Sequence, residues 1–170
     1  PYATDVGEIQ NALPRWGTIH FTGYPAYTLL GSLFVSLLRL LRVEPAAACS
    51  LYSALWAMLT ISLLVLLSIT LGAPHPLAAL SGMLAAVTAS FWIDASLAEV
   101  HTMSAALTVA TLLFAVRFWR SGNRRELFWL TLAFTQGIAH QRAVAFLAPA
   151  VGVLIYPHWR VLWRERRQVV

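Results

Sequence analysis

Apolar stretches organise this chain, and one of them differs from the rest. Residues 46–71 form an unbroken apolar run, roughly 39 Å long as a helix, and 76–93 and 102–119 form two more of roughly 27 Å at 1.5 Å per residue. Each predicts a transmembrane span. Two shorter runs, 127–139 and 143–156, would each reach roughly 20 Å. The polar residues His140, Gln141 and Arg142 separate them, so they predict either two short spans or one re-entrant hairpin. The stretch 27–42 is different: Thr28, Ser32, Ser36, Arg39 and Arg42 fall on one narrow stripe at helical spacing, with only Val35 intruding. Such a stripe predicts an amphipathic helix lying flat in the membrane interface. The alternative is a span whose polar stripe faces a protein interior.

Composition supports a membrane setting. Hydrophobic residues make up 59% of the chain and charged residues 11%, less than half the charged share of a soluble domain. The predicted fold class is all-α, a polytopic transmembrane helical bundle. The chain opens on Pro1 inside a polar segment with no signal peptide or span ahead of it, which predicts a fragment or trimmed chain.

The net charge of +5 comes from arginine alone. No basic stripe interleaved with aromatics lies outside the apolar runs, so a nucleic-acid partner is not expected. Topology accounts for the arginines better. Arg117, Arg120, Arg124 and Arg125 form one cluster and Arg160, Arg164, Arg166 and Arg167 another, and the positive-inside rule assigns both to the cytoplasmic side. Counting spans backwards then places Asp5, Glu8, His20, Asp94, Glu99, His101, His140 and Arg142 on the opposite, extracytoplasmic face. Loops distant in sequence thus deliver carboxylates, imidazoles and a guanidinium to one rim of the bilayer, which is the pattern of a site. The predicted organisation is an extracytoplasmic loop with interfacial helix over 1–45, about five spans over 46–157 (the last two short), and a basic cytoplasmic tail over 158–170.

Several of these residues also have structural readings. Asp5 and Glu8 are spaced as a capping box at a helix start, and so are Ser96 and Glu99. A carboxylate at the edge of hydrocarbon is costly, however, so Glu99 is a candidate for substrate contact. Asp94 and His101 would share a helical face if one helix ran through both. Arg142 offers a planar fork that matches phosphate oxygens, and His140 beside it could hydrogen-bond the same group; neutralising Glu99 is the other reading of Arg142. His20 and Tyr24 flank a Gly23-Tyr24-Pro25 turn expected to be a rigid corner. Trp119, Trp129, Trp159 and Trp163 sit near span ends as an interfacial belt. Cys49 reads as a small buried hydrophobe, and no disulfide framework or CxxC-type metal site is available. Phosphate-loop, dinucleotide and serine-hydrolase motifs are lacking.

Three blocks, "HFTGYPAYTLLGSLF", "FWIDASLAEVHTMSAALTVATLLF" and "GIAHQRAVAFLAPAV", with "DVGE" ahead of them, resemble the GT-C-type membrane glycosyltransferases of the domain of unknown function 2723 family. That family includes the transmembrane protein 260 type of O-mannosyltransferase. The blocks occur in the family's order and cover roughly residues 4–155. This sequence departs from the pattern at Phe21, where proline is usual, at His101, where tyrosine is usual, and at Asp94, where a neutral polar residue is common. The resemblance implies a GT-C-like bundle with interfacial helices in the first extracytoplasmic loop. It also implies a polyprenyl-phosphate-linked sugar donor, a protein or glycan acceptor, and a plasma-membrane or ER-type membrane location. Asp5 and Glu8 match the acidic motif of that loop, which implies a catalytic role for them. His20, Tyr24, Glu99, His101, His140 and Arg142 are then the candidates for donor phosphate and substrate. A divalent magnesium or manganese ion is an open expectation, with Asp5 and Glu99 as candidate ligands. The competing reading is a non-catalytic membrane subunit or scaffold with the same fold, and a transporter ranks third.

Overall fold

A computed structural model describes residues 2–20 and 23–159. Phe21 and residues 160–170 lie outside the described residues, and with them most of the predicted basic tail. Among the described residues the chain is helical throughout and has no strand. The helices are α1 (Tyr2–Ala12), α2 (Pro25–Leu40), α3 (Pro45–Leu71), α4 (His75–Ala86), α5 (Ala89–Ser96), α6 (His101–Ser121), α7 (Arg124–His140) and α8 (Ala148–Ile155). Short 3-10 turns follow α1 at Leu13–Arg15, precede α8 at Arg142–Leu147 and follow it at Tyr156–His158.

Helix α3, 27 residues, and α6, 21 residues, are each long and apolar enough to cross a membrane. Local chemistry sets the start of α3: Pro45 takes the first turn, where its missing N–H costs nothing, and the Glu44 carboxylate accepts from the Ala47 amide at 3.0 Å. Helix α6 is the hub and packs on α3, α7 and α8. Its buried face includes Thr102, Ser104, Ala106, Ala110, Thr111 and Ala115, small residues that let neighbouring backbones approach closely.

The run 76–93 is not one straight span. It breaks after Ala86 into α4 and α5, bent by 68°. No glycine or proline marks the break. Val87 and Thr88 are β-branched and favour helices weakly, and Thr88 leaves helical geometry at φ −66°, ψ 135° to start α5. The two short runs became α7 and the segment 142–158, with the reversal at Gln141, which is extended at φ −143°, ψ 117°. Both are shorter than α3 and α6.

The first half of the polar stripe of α2 faces protein, while Arg39 and Arg42 at its far end remain exposed. Thr28 and Ser32 are buried, the Trp16 indole N–H donates to Ser36 Oγ at 3.2 Å, and the Arg39 guanidinium donates to the Pro14 carbonyl at 3.4 Å. Leu29, Leu30, Leu33, Leu37 and Leu40 point outward and are exposed. The helix is amphipathic as expected, but the opening segment and α3 cover the first half of its polar side.

The reversal after α7 depends on one close approach. A Cβ on Gly137 would stand 2.7 Å from Val144 Cγ1, and Val144 is itself buried. Gly137→Ala is therefore expected to destabilise the fold by about 1–3 kcal/mol, the usual cost of overpacking. Denaturant unfolding of the detergent-solubilised protein measures it; an unchanged midpoint would show that Val144 yields freely.

Candidate functional site

One end of the bundle gathers polar groups from α1, the α1–α2 connection, the α5–α6 connection and the end of α7. Helix α1 begins at Tyr2, so Asp5 lies in its first turn and Glu8 one turn further on. The capping-box reading of this pair does not hold. Both Glu8 oxygens instead face His20: Oε1 accepts from the His20 amide and Oε2 from its Nδ1, each at 2.6 Å. The bond to His20 holds the Glu8 carboxyl below its ordinary value, and the same bond raises the imidazole above its own.

The sign of the linkage follows from those directions. His20 contributes stability that is complete below its unfolded value of 6.5 and lost as pH rises through its raised folded value; Glu8 contributes above 4.5 and loses its share as pH falls through its lowered one. Both groups are solvent-facing, so the effect is small and screened by salt. The expected result is a melting-temperature gap between wild type and Glu8→Gln that is widest from pH 4.5 to 6.5 and narrows on both sides. A gap independent of pH would remove the pairing.

Asp5 links this cluster to a second one. One ligand-capable atom each from Asp5, Glu8 and His20 lie within 4.8 Å of one another, and the Asp5 charge also acts on Glu99. The trio has the hard donors that a magnesium or manganese ion prefers. An ion using these donors would replace the Glu8–His20 hydrogen bond, and Glu99, the other expected ligand, stands outside the trio.

Glu99 lies in the Leu97–Val100 connection with its side chain only 3% exposed, and His101 Nε2 is 4.0 Å away. Burial pushes its carboxyl up, as do the charges of Asp5 and Asp94, against the pull of His101. The Ser96–Glu99 capping box is also not formed. Ser96 Oγ donates back to the Trp92 carbonyl at 2.7 Å, and α6 starts at His101 with Val100 uncapped. The same connection interrupts the helix between Asp94 and His101, so they do not share a helical face.

Hydroxyls that sequence reasoning did not single out hold Glu99 in place. Ser53 Oγ donates to the Glu99 carbonyl and accepts from its amide, both at 3.0 Å, and the Tyr27 hydroxyl donates to the same carbonyl at 3.4 Å. Ser53 is one of several hydroxyl residues in the apolar run 46–71, and it is fully buried. A hydroxyl there signals a partner across helices, which was the available clue.

Aromatic contacts join the remaining candidates. His20 meets Tyr24 edge-on at 6.1 Å between ring centres, and Tyr24 meets His140 at 5.2 Å. Gly23 and Tyr24 both adopt positive φ, 79° and 40°, before Pro25 starts α2. That conformation is uncommon for tyrosine and fits the rigid corner expected at this turn. His140 is 3% exposed, and its Nε2 lies 3.0 Å from the Val100 carbonyl. A carbonyl only accepts, so Nε2 carries the proton, while Nδ1 is buried with no partner among the described residues. Arg142 follows two residues later, exposed at the start of the 3-10 turn.

Fold and site together define a class: a helical membrane domain with a carboxylate- and imidazole-lined site at one end of its bundle. The particular family follows from comparison with known proteins. The family model described as the protein O-mannosyl-transferase TMEM260 N-terminal domain matches residues 5–163. The chain belongs to this family, a family of membrane glycosyltransferases. No curated protein and no solved structure matches it.

Proposed function

We propose that this domain carries the catalytic face of a glycosyltransferase that moves a mannosyl group from a polyprenyl-phosphate-linked donor to a protein hydroxyl on the extracytoplasmic side of the membrane. The observation that carries the reading is the placement of Asp5, whose carboxylate lies beside the Glu8–His20 pair within 4.8 Å. In the proposed step the acceptor oxygen attacks the anomeric carbon and its proton passes to the Asp5 carboxylate. The bond from that carbon to the phosphate oxygen breaks, and the phosphate leaves with the electron pair. Glu8 holds the His20 imidazole so that its cationic form faces the leaving phosphate. Arg142 supplies a second, permanently charged contact. Tyr24 and His101 line the sugar, the buried Glu99 sits behind His101, and the His140 ring packs against Tyr24. No step is routed through a metal ion.

The test is turnover by the purified protein in nanodiscs, using polyprenyl-phosphate mannose and a serine- or threonine-containing acceptor. Transfer in wild type and its loss in a folded Asp5→Asn variant are expected. Absence of transfer across donors, with lipid and fold intact, would favour the non-catalytic scaffold.

A further inference from the structure

We propose that the far end of α2, together with the 3-10 turn at Leu13–Arg15, is a binding patch for the phosphate headgroup of an anionic bilayer phospholipid. Arg15, Arg39 and Arg42 grip the phosphate, and Trp16 and the neighbouring leucines sit against the upper part of the acyl chains.

The chain has twelve basic residues, all of them arginine. Eight fall in the two clusters that topology explains, and Arg142 belongs to the site. The other three, Arg15, Arg39 and Arg42, have no part in either. Two hydrogen bonds bring them to one place although they come from separate elements. The Arg39 guanidinium donates to the carbonyl of Pro14, next to Arg15, at 3.4 Å, and the Trp16 indole N–H donates to Ser36 Oγ at 3.2 Å. Arg42 lies one turn beyond Arg39, with its amide donating to the Arg39 carbonyl at 3.0 Å. All three arginines are exposed, and none forms an ion pair among the described residues. Glu44, two residues beyond Arg42, accepts from the Ala47 amide at the start of α3. Like charges gathered in this way repel one another, and a bound anion removes that repulsion.

The backbone singles out the same residues. Among the described residues only three other than glycine have positive φ, and two of them are here, Trp16 at 56° and Arg42 at 62°. A tryptophan and an arginine kept where glycine would fit better point to a use for those side chains.

The surroundings select a lipid headgroup over a soluble anion. Beside the arginines, Leu37, Leu40 and Leu41 are 54%, 80% and 73% exposed, and Trp16 is 55% exposed. Exposed leucine and indole next to guanidinium groups match the boundary between acyl chains and headgroups, where indoles settle and arginines reach phosphate. The planar guanidinium takes two phosphate oxygens at once. Arg39 stands roughly 21 Å along α2 from Pro25, so a lipid held here is distinct from the substrate at the Tyr24 corner.

The experiment is fluorescence quenching with the full chain in nanodiscs. A bimane label is carried by Leu41→Cys, and the native Cys49 is buried and does not compete for it. The discs are phosphatidylcholine with a small fraction of either phosphatidylglycerol or phosphatidylcholine that bears a doxyl quencher high on one acyl chain. The labelled phosphatidylglycerol is expected to quench about threefold more than the labelled phosphatidylcholine at equal mole fraction, a preference that high salt reduces. With the label on Leu77→Cys of α4, a 58% exposed position on a helix without arginine, the two should quench equally. Arg15→Gln and Arg42→Gln should each weaken the preference at position 41 and together abolish it, with the melting temperature unchanged because both side chains are exposed. Arg39 is left in place because it holds Pro14. Equal quenching by the two lipids at position 41, an equal preference at position 77, or a preference that the double variant leaves intact would overturn the assignment. Equal quenching at position 41 combined with an emission shift on adding an acidic peptide would overturn it in favour of a protein partner.

Discussion

Asp5→Asn is expected to lower kcat for mannosyl transfer by about 10²–10⁴-fold, the range associated with losing a positioned general base. Asparagine keeps the size and the hydrogen-bonding reach of aspartate but cannot take up the acceptor's proton. The substitution also removes a negative charge that acts on two neighbours. Asp5 raises the carboxyl of Glu99 and the imidazole of His20, so both should move back toward their ordinary values in the variant. A purely electrostatic role would therefore show itself as a displaced pH profile with kcat preserved at its new optimum. A base shows a low kcat at every pH. Glu8→Gln separates the roles further, because it leaves Asp5 in place and loosens His20. Its expected signature is a raised donor KM that grows with pH, with a smaller fall in kcat. Equal kcat for wild type and Asp5→Asn across the profile would remove Asp5 from the chemistry.

Much of the site was legible because helix length and arginine placement act over long stretches of sequence. Runs of apolar residues fix where the chain crosses, and arginine placement fixes which loops share a side. That reasoning expected Glu8, His20, Glu99, His101 and His140 on one face, and the contacts of Glu8 with His20, of His20 through Tyr24 to His140 and on to Val100, and of Glu99 with His101 bring these side chains together at one end of the bundle. Local register was less legible. The spacing Ser-x-x-Glu says that a capping box is possible, but Ser96 found a nearer carbonyl inside α5. The break at Val87 carries no glycine or proline, only two β-branched residues whose weak preference tertiary packing turned into a bend. The stripe on α2 shows the remaining limit most clearly. Periodicity reports that one side of a helix is polar, but whether water or protein covers that side depends on where α1 folds back. Pro14, Trp16 and Leu13 decide this, and none of them lies in α2 itself.

A buried residue that joins the elements around the site, Tyr27, was not among the sequence candidates. Tyr27 is fully buried, with its ring 5.0 Å from that of Tyr52 and 6.1 Å from that of His140. Its hydroxyl donates to the Glu99 carbonyl and its own carbonyl accepts from the Tyr52 hydroxyl at 3.3 Å, so it ties α2 to both α3 and the α5–α6 connection. Tyr27→Ala should destabilise the protein by about 3–5 kcal/mol, the range for deleting a large buried aromatic side chain. Tyr27→Phe keeps the ring and loses one long hydrogen bond, so about 0.5–1.5 kcal/mol is expected. The two variants differ in function as well. The alanine variant leaves a void beside His140 and frees Glu99 from one of its anchors, so transfer should fall even at temperatures where the variant stays folded. The phenylalanine variant should retain most of its kcat. Denaturant unfolding alongside turnover measures both effects. A Tyr27→Ala variant as stable as Tyr27→Phe would mean that α2 is not held to the bundle through this ring, and the Tyr24 corner would then need some other support to reach His140.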